Sequence, residues 1–417
     1  MSGVSEFLRG SVREVTTGKR GYWLWVGFLL AAVVVGGVSY AQQARQGLIA
    51  TNMRDDVSWA FYIGNFTFLV GVAAAAVLLV VPAYVYQWKP IKEVVVLGEL
   101  LAVSALTMCL LFIAADMGHP ERFLHIVPIV GSPNWPRSML TWDALVLNAY
   151  LVLNLVLVLY LLFRTYRGQP YHRKVFLPLV MLSIPTAIST HTVTAFLYNG
   201  MASRPYWNAS ILAPRFIASA FCSGPAVMIV LFQLLRRTFR FEIKDEAIWK
   251  IAELMAYAMF LNLFLLGAEL FKEYYSAGEH LLYTQYYWQG IGGHRALVPY
   301  AWLSLSCSVL AFVLFLVPRT RRSFPTLNLG CLLIWAGVYI EKGMGLIIPG
   351  FTPSTLGQIY PYTPTAVEWG VAIGVFGVGF LVFTVLVKIA VPILVGTFRA
   401  PGAIATGHDT PEGPGAH

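Results

Sequence analysis

Charge is what this sequence has least of: Asp, Glu, Lys and Arg make up 12% of its 417 residues, against 58% hydrophobic. An ordinary soluble domain carries about 25% charge, so this shortage excludes a freely dispersed globular protein and indicates a polytopic membrane protein. Cysteine is scarce too. Cys109, Cys222, Cys307 and Cys331 are the only four, and all lie within apolar runs. No two make a CxxC or a cluster spacing, so the chain offers no ligand set for an iron–sulfur centre, and core packing is their simplest use. Of the eight histidines only His191 lies inside an apolar run. His119, His125, His280 and His294 fall in loops on one side, His172 in a loop on the other, and His408 and His417 in the tail. A membrane b-type haem usually takes two axial histidines from facing helices, so one within the bilayer would lack its second ligand. P-loop, zincin and nucleophile patterns are missing as well.

What is present is long apolar runs. A membrane span needs about 20 mostly apolar residues, and ten runs qualify: 22–40, 59–86, 94–115, 142–163, 175–198, 211–235, 248–271, 297–317, 326–349 and 367–390. Lipid leaves every backbone polar group in need of an internal partner, so these are expected to be helices. Basic residues ahead of the first run resemble a signal peptide. That run is nevertheless a full span, and the small residues before Gln42 make a weak cleavage site, so it is read as helix 1.

The net charge of +9 does not indicate a nucleic-acid partner, because of where it lies. Segments 1–21, 87–93, 164–174, 236–247, 318–325 and 388–417 hold 19 Lys and Arg, whereas 41–58, 116–141, 199–210, 272–296 and 350–366 hold 7. Short cytoplasmic loops are the basic ones. The N-terminal segment 1–21 and the tail 391–417 are therefore expected in the cytoplasm, the tail being Gly- and Pro-rich and flexible.

Helices 2–5 and 6–9 read as two copies of one unit. "LFIAAD" and "LFLLGAE" align Phe112 with Phe264, and Glu99 and Glu253 lie near the inner starts of those helices. Asp116 and Glu269 lie at the outer ends, and His191 corresponds roughly to Glu341. Both units begin with an outward-to-inward helix, which makes them parallel repeats. The expected fold is all-α: two four-helix bundles, 59–198 and 211–349, flanked by helices 22–40 and 367–390. Coincidence among Leu-rich helices is the alternative, and the matched polar positions favour duplication.

An ionisable side chain inside the bilayer is costly, so each is a functional candidate. "DMGHPERFLHI", Asp116 to Ile126, sets an acid, two histidines, a Glu–Arg pair and a proline at a helix exit. Asp116, Asp143 and His191 fall in the outer half of the first unit, with Asn65 at similar depth, and these four are expected to converge. Asp143, following Thr141, also suits a helix start, where the dipole favours a carboxylate. The same dipole disfavours Asp116 at a helix end. His191 is either a ligand or a satisfied core histidine. The second unit carries Glu253, Glu269, Glu341 and Lys342, with Glu368 on helix 10. Arg215 is shallow enough to snorkel outward. Lys342 is too deep for that and is expected to pair with an acid. Adjacent Glu341 and Lys342 diverge by about 100° around a helix, so their partners are expected elsewhere.

Taken in order, "DMGHPERFLHI…SPNWPRSMLTWDAL" and "STHTVTAFLYNGMASRPYWNASILAPRFIASA" resemble the NrfD/PsrC family, the membrane subunits of polysulfide-reductase-type complexes. With "WAFYIGNFTFLVGVAAAAV" and "YTPTAVEWG", the chain is most similar to the ten-helix branch that contains the QrcD subunit of the menaquinone reductase complex. The resemblance runs from helix 2 to helix 10. It implies a haem-free quinone-binding subunit of a periplasm-facing respiratory complex in the bacterial inner membrane. Its quinone site would lie in the first bundle near the outer face, beneath a ferredoxin-like iron–sulfur subunit. A molybdopterin-oxidoreductase-like subunit and a multihaem cytochrome c are further candidate partners. The cofactor implied is menaquinone, with reduction the favoured direction.

On that resemblance Asp116 and His191 are the candidate proton-exchange partners of the quinone oxygens. Asn65 and Asp143 join them in the pocket, and His119, Arg122 and Arg204 shape its mouth. Glu99, Asn148 and Asn154 would carry protons from the cytoplasmic side, with Glu253, Glu269, Glu341, Lys342 and Glu368 as a second set. Helix 2 departs from the pattern: it reads "GVAAAAV" where some relatives carry a histidine, so roles resting on that histidine do not transfer. The competing class is an ion-coupled secondary transporter, in which paired bundles and buried acids would serve a solute.

Overall fold

A computed structural model describes residues 2–402 apart from 93, 128, 240, 242 and 355. Among the described residues, ten helices are long and apolar enough to cross a membrane, and the chain is a multi-pass integral membrane protein. They are α1 (Arg20–Gln46), α2 (Phe61–Tyr84), α3 (Val95–Asp116), α4 (Met139–Tyr166), α5 (Arg173–Asn199), α6 (Leu212–Phe239), α7 (Asp245–Ser276), α8 (Val298–Leu316), α9 (Phe324–Phe351) and α10 (Ala366–Val395). Each coincides with one of the apolar runs. The largest overrun is at the end of α1, where the polar "AQQARQ" stays helical until Gly47 turns the chain at φ 79°. At the other terminus α10 continues past 390 to Val395 and ends at Gly396, φ 84°. Most of the tail expected to be flexible, 403–417, lies outside the described residues. Shorter helices also lie in segments read as connections, the longest being Ser2–Thr16 and Leu281–Trp288.

Helix contacts place α2, α3, α4 and α5 in one ring and α6, α7, α8 and α9 in another. The rings meet where α6 packs on α2 and α5, and where α9 reaches α2. Outside them α10 lies against α3, and α1 packs on α10. Every residue of α2 from Phe61 to Ala74 is buried, as befits a helix that is apolar all round.

Small residues set the seam between the rings. A β-carbon on Gly224 of α6 would collide with the Ala75 side chain of α2. Such close backbone approach is what alanine and glycine permit in membrane helices, and it accounts for the run "GVAAAAV". Two of the spans are not continuous helices. In α2 a π-turn occupies Val81–Val85, because Pro82 has no N–H to donate and its ring clashes with the preceding turn. In α9 the chain breaks at Gly343, ψ −115°, before resuming as Met344–Phe351.

Glu368 has an architectural place. It forms a capping box with Thr365 at the start of α10, and it also accepts from Tyr362 Oη and, at 3.0 Å, from the Asn52 backbone N–H. Several donors converging on one buried carboxylate offset its desolvation, and they tie the α1–α2 connection to α10.

Candidate functional site

A cavity of about 680 Å³ lies at the Asp116 end of the first ring. Ile63 and Phe66 of α2, Ile113 and Asp116 of α3, Asp143 and Ala144 of α4 and Leu197 of α5 form its walls. Its roof is the segment Arg122–Val127, most of which belongs to the 3₁₀ helix Pro120–Ile126. Trp59 lies at its rim and stacks against Trp207 with ring centroids 6.1 Å apart. Ligand sites typically measure about 300–1,000 Å³, mostly apolar with a few convergent polar groups, and this one fits that description.

Two carboxyl groups lie among the polar residues of the lining, with Thr141 and Asn148 of α4 and Arg122 and His125 of the roof. Asp143 is buried and accepts a 2.6 Å hydrogen bond from Thr194 Oγ1 of α5. The expectation that Asp143 serves the helix start is corrected: Ser138 is the N-cap of α4 and accepts from Thr141 N–H at 3.3 Å. Asp143, one turn further in, is free to reach across to α5. Asp116 is the last residue of α3, and its buried Oδ1 has no hydrogen-bond partner within the protein. Buried polar atoms nearly always have a partner, so an orphaned carboxyl oxygen at an apolar cavity suits a ligand with a polar oxygen on an apolar body. Behind Asp116, Gln43 of α1 donates to Ala115 O at 2.7 Å and accepts from Tyr62 Oη at 2.6 Å. Gln43, Tyr62 and Trp59 were not singled out in the sequence. Gln43 had a signal, as an uncharged polar group within the α1 overrun, whereas the aromatics had none.

Asn65 and His191 stand apart from the two acids. Asn65 accepts a 2.8 Å hydrogen bond from Tyr339 Oη of α9 and so faces the seam between the rings. His191 is buried with neither ring nitrogen partnered, and its ring edge lies against Gly71 on the α2 and α6 side. Neither lines the cavity. His119 lies ahead of the roof and outside the cavity lining, in an exposed 2.8 Å pair with Glu121, whereas Arg122 lines the cavity. Arg204 belongs to the second ring's end, 4.5 Å above the Phe351 ring.

The residues read as a proton route are spread over both rings. Glu99 is buried on α3, one carboxyl oxygen lacking a partner. Asn154 is buried on α4 and donates to Tyr150 O, while Asn148 lines the cavity. Glu253 is near the opposite end, paired with Lys250 at 3.2 Å. Arg215 is buried between Glu269 and Glu341, the second contact measuring 2.6 Å. Its expected outward snorkel is thereby corrected, since Glu269 and the buried Glu341 hold it inside. Glu341 has its partner elsewhere, as expected, in Arg215, whereas the nearest acid to Lys342 is its neighbour Glu341, 3.3 Å away in an ion contact without hydrogen-bond geometry.

Residues 50–353 match the family described as "Polysulphide reductase, NrfD". Over 393 residues the chain is 28% identical to a putative dimethyl sulfoxide reductase membrane subunit of Halobacterium salinarum, covering 86% of this chain and 88% of that one. It is 22% identical to a selenate reductase subunit of Mesobacillus selenatarsenatis, covering 86% and 92% respectively. It is 23% identical to the Hdr-like menaquinol oxidoreductase integral membrane subunit of Archaeoglobus fulgidus, covering 88% and 93%. A match across most of the chain, on a fold of ten apolar helices, settles the family: this protein is a member of the NrfD family.

Proposed function

We propose that this chain is the quinone-interacting membrane subunit of an oxidoreductase complex, with no haem or iron–sulfur centre of its own. It exchanges electrons between a partner iron–sulfur subunit and menaquinone, in the direction of menaquinone reduction. The carrying observation is that Asp116, with an unpartnered buried oxygen, lines an apolar cavity large enough for a quinone ring. The relatives, named as membrane subunits of reductases and of a menaquinol oxidoreductase, support the complex and the ligand class. The apolar lining favours a lipid-soluble ligand over the hydrophilic solute of a transporter.

When bound, a quinone supplies two-electron, two-proton redox chemistry. Asp116 and Asp143 hold the protons beside its oxygens. A carboxyl group can both accept and donate a proton, the general acid–base role that such an exchange needs. Arg122 and His125 on the roof stand between the cavity and the partner protein. By the distribution of Lys and Arg, that roof faces the periplasm. Glu99, with Asn154 and Asn148, is the route by which cytoplasmic protons reach the cavity.

Gentle detergent extraction of the intact complex tests the reading. A copurifying iron–sulfur subunit, together with bound quinone, is the expected result. A chain that purifies without either and drives solute uptake in proteoliposomes would make it a transporter.

A further inference from the structure

The helix Ser2–Thr16 has three faces, and only two are accounted for by the protein and by water. One face docks on the bundle. Phe7 packs edge-on to Phe163 and Tyr166 at the end of α4, with ring centroids 5.5 and 5.2 Å apart, and Ser11 is buried beside it. Gly10 closes against Phe398, whose ring leaves no room for a β-carbon there. The opposite face is charged and bears Glu6, Arg9 and Arg13. Between them runs a stripe of exposed apolar side chains, Val4 at 52%, Leu8 at 57% and Val12 at 63%. Four-residue spacing keeps these three within an arc of about 80°, immediately beside the docked face.

We propose that this helix lies in the membrane interface, with Val4, Leu8 and Val12 sunk among the acyl chains and Arg9 and Arg13 among acidic lipid headgroups. A helix on the rim of a bundle needs its protein-facing and lipid-facing sides adjacent, and its charged side turned to water. That is the order found around this one. Its height agrees with an independent marker. Three residues after Thr16 the first span begins, and its opening turns expose Trp23 and Trp25, the residues that concentrate at the headgroup level. Tyr22 Oη donates to Val15 O at 2.8 Å, fixing the helix to that aromatic turn. Charge agrees too: residues 2–20 carry four basic and two acidic side chains, a balance that attracts anionic lipid.

Variants of the full chain with one added, exposed cysteine test the placement, since all four native cysteines are buried. Leu8→Cys, Val12→Cys, Arg9→Cys and Arg13→Cys would each carry a fluorophore in vesicles of phosphatidylethanolamine and phosphatidylglycerol. All four positions are exposed, so labelling leaves the docked face intact. The expected result is several-fold stronger quenching at 8 and 12 than at 9 and 13 by a lipid with a nitroxide high on its acyl chain, and the reverse with aqueous iodide. Equal iodide quenching at all four would mean the helix stands in water, and the proposal fails. Protection of 8 and 12 from both quenchers would mean that protein covers the stripe, a second copy or a partner protein, and the proposal fails equally.

Discussion

Thr194 of α5 donates a 2.6 Å hydrogen bond to Asp143 of α4, which lines the cavity. This one bond orients a carboxyl group that α4 alone would leave unpartnered. Thr194→Val keeps the shape and removes the donor. Its loss is expected to cost about 1–3 kcal/mol of stability, read as a lower thermal midpoint in detergent. Slower quinone reduction by the assembled complex should accompany it. A variant with both at wild-type values would detach Asp143 from the site.

Asp116 and His191 make a discriminating pair. Asp116→Asn removes an acid–base group from the cavity and should lower quinone turnover by about 10²–10⁴-fold, while reduction of the partner's clusters stays intact. His191 faces the α2–α6 seam, so His191→Ala should affect turnover far less. Steady-state assays of both variants decide it. If the histidine variant is the dead one, the ligand sits deeper, toward the seam.

Glu99 is the group at which the proposed proton route can be tested. If protons reach the cavity from the cytoplasm, Glu99→Gln should slow turnover or abolish membrane potential in proteoliposomes without preventing assembly. An undiminished potential at normal turnover would leave Glu99 a structural group.

Stability in the second ring rests on Arg215. Arg215→Ala strands Glu269 and Glu341 in a buried site with only Lys342 to balance them. Removing one partner of a buried ion pair costs about 3–5 kcal/mol, so the variant should express poorly or melt far below wild type. Normal melting would mean that water reaches the cluster.

The ten spans were legible because in lipid the hydrophobic run is itself the structural requirement. The depth of Asp116 and Asp143 could also be counted along the helices. What could not be counted was which way each side chain turns. Asn65 and His191 have the depth of the two acids, but Tyr339 of α9 claims Asn65, and the Gly71 side of α2 and α6 encloses His191. Those are contacts between distant parts of the chain. Lys342 misled because adjacent helix positions diverge at the backbone while long side chains can still reach one another. Glu368 looked like a buried acid in transit, although "TAVE" is a capping-box pattern that already pointed to a helix start. Matching acids suggested a duplication of 59–198 in 211–349; we retain it as a proposal.

The central claim, that the α2–α5 cavity holds quinone, is tested most directly by filling it. Ala144 lines the wall between Asp143 and Leu145, and Ala144→Trp would project an indole into the space. Quinone in the purified complex, quantified by organic extraction and chromatography, should be near stoichiometric for wild type and at least tenfold lower for the variant. The set of copurifying partners and the melting temperature should be unchanged. Wild-type quinone content in a correctly folded Ala144→Trp complex would contradict the account, because the ligand would then be bound elsewhere.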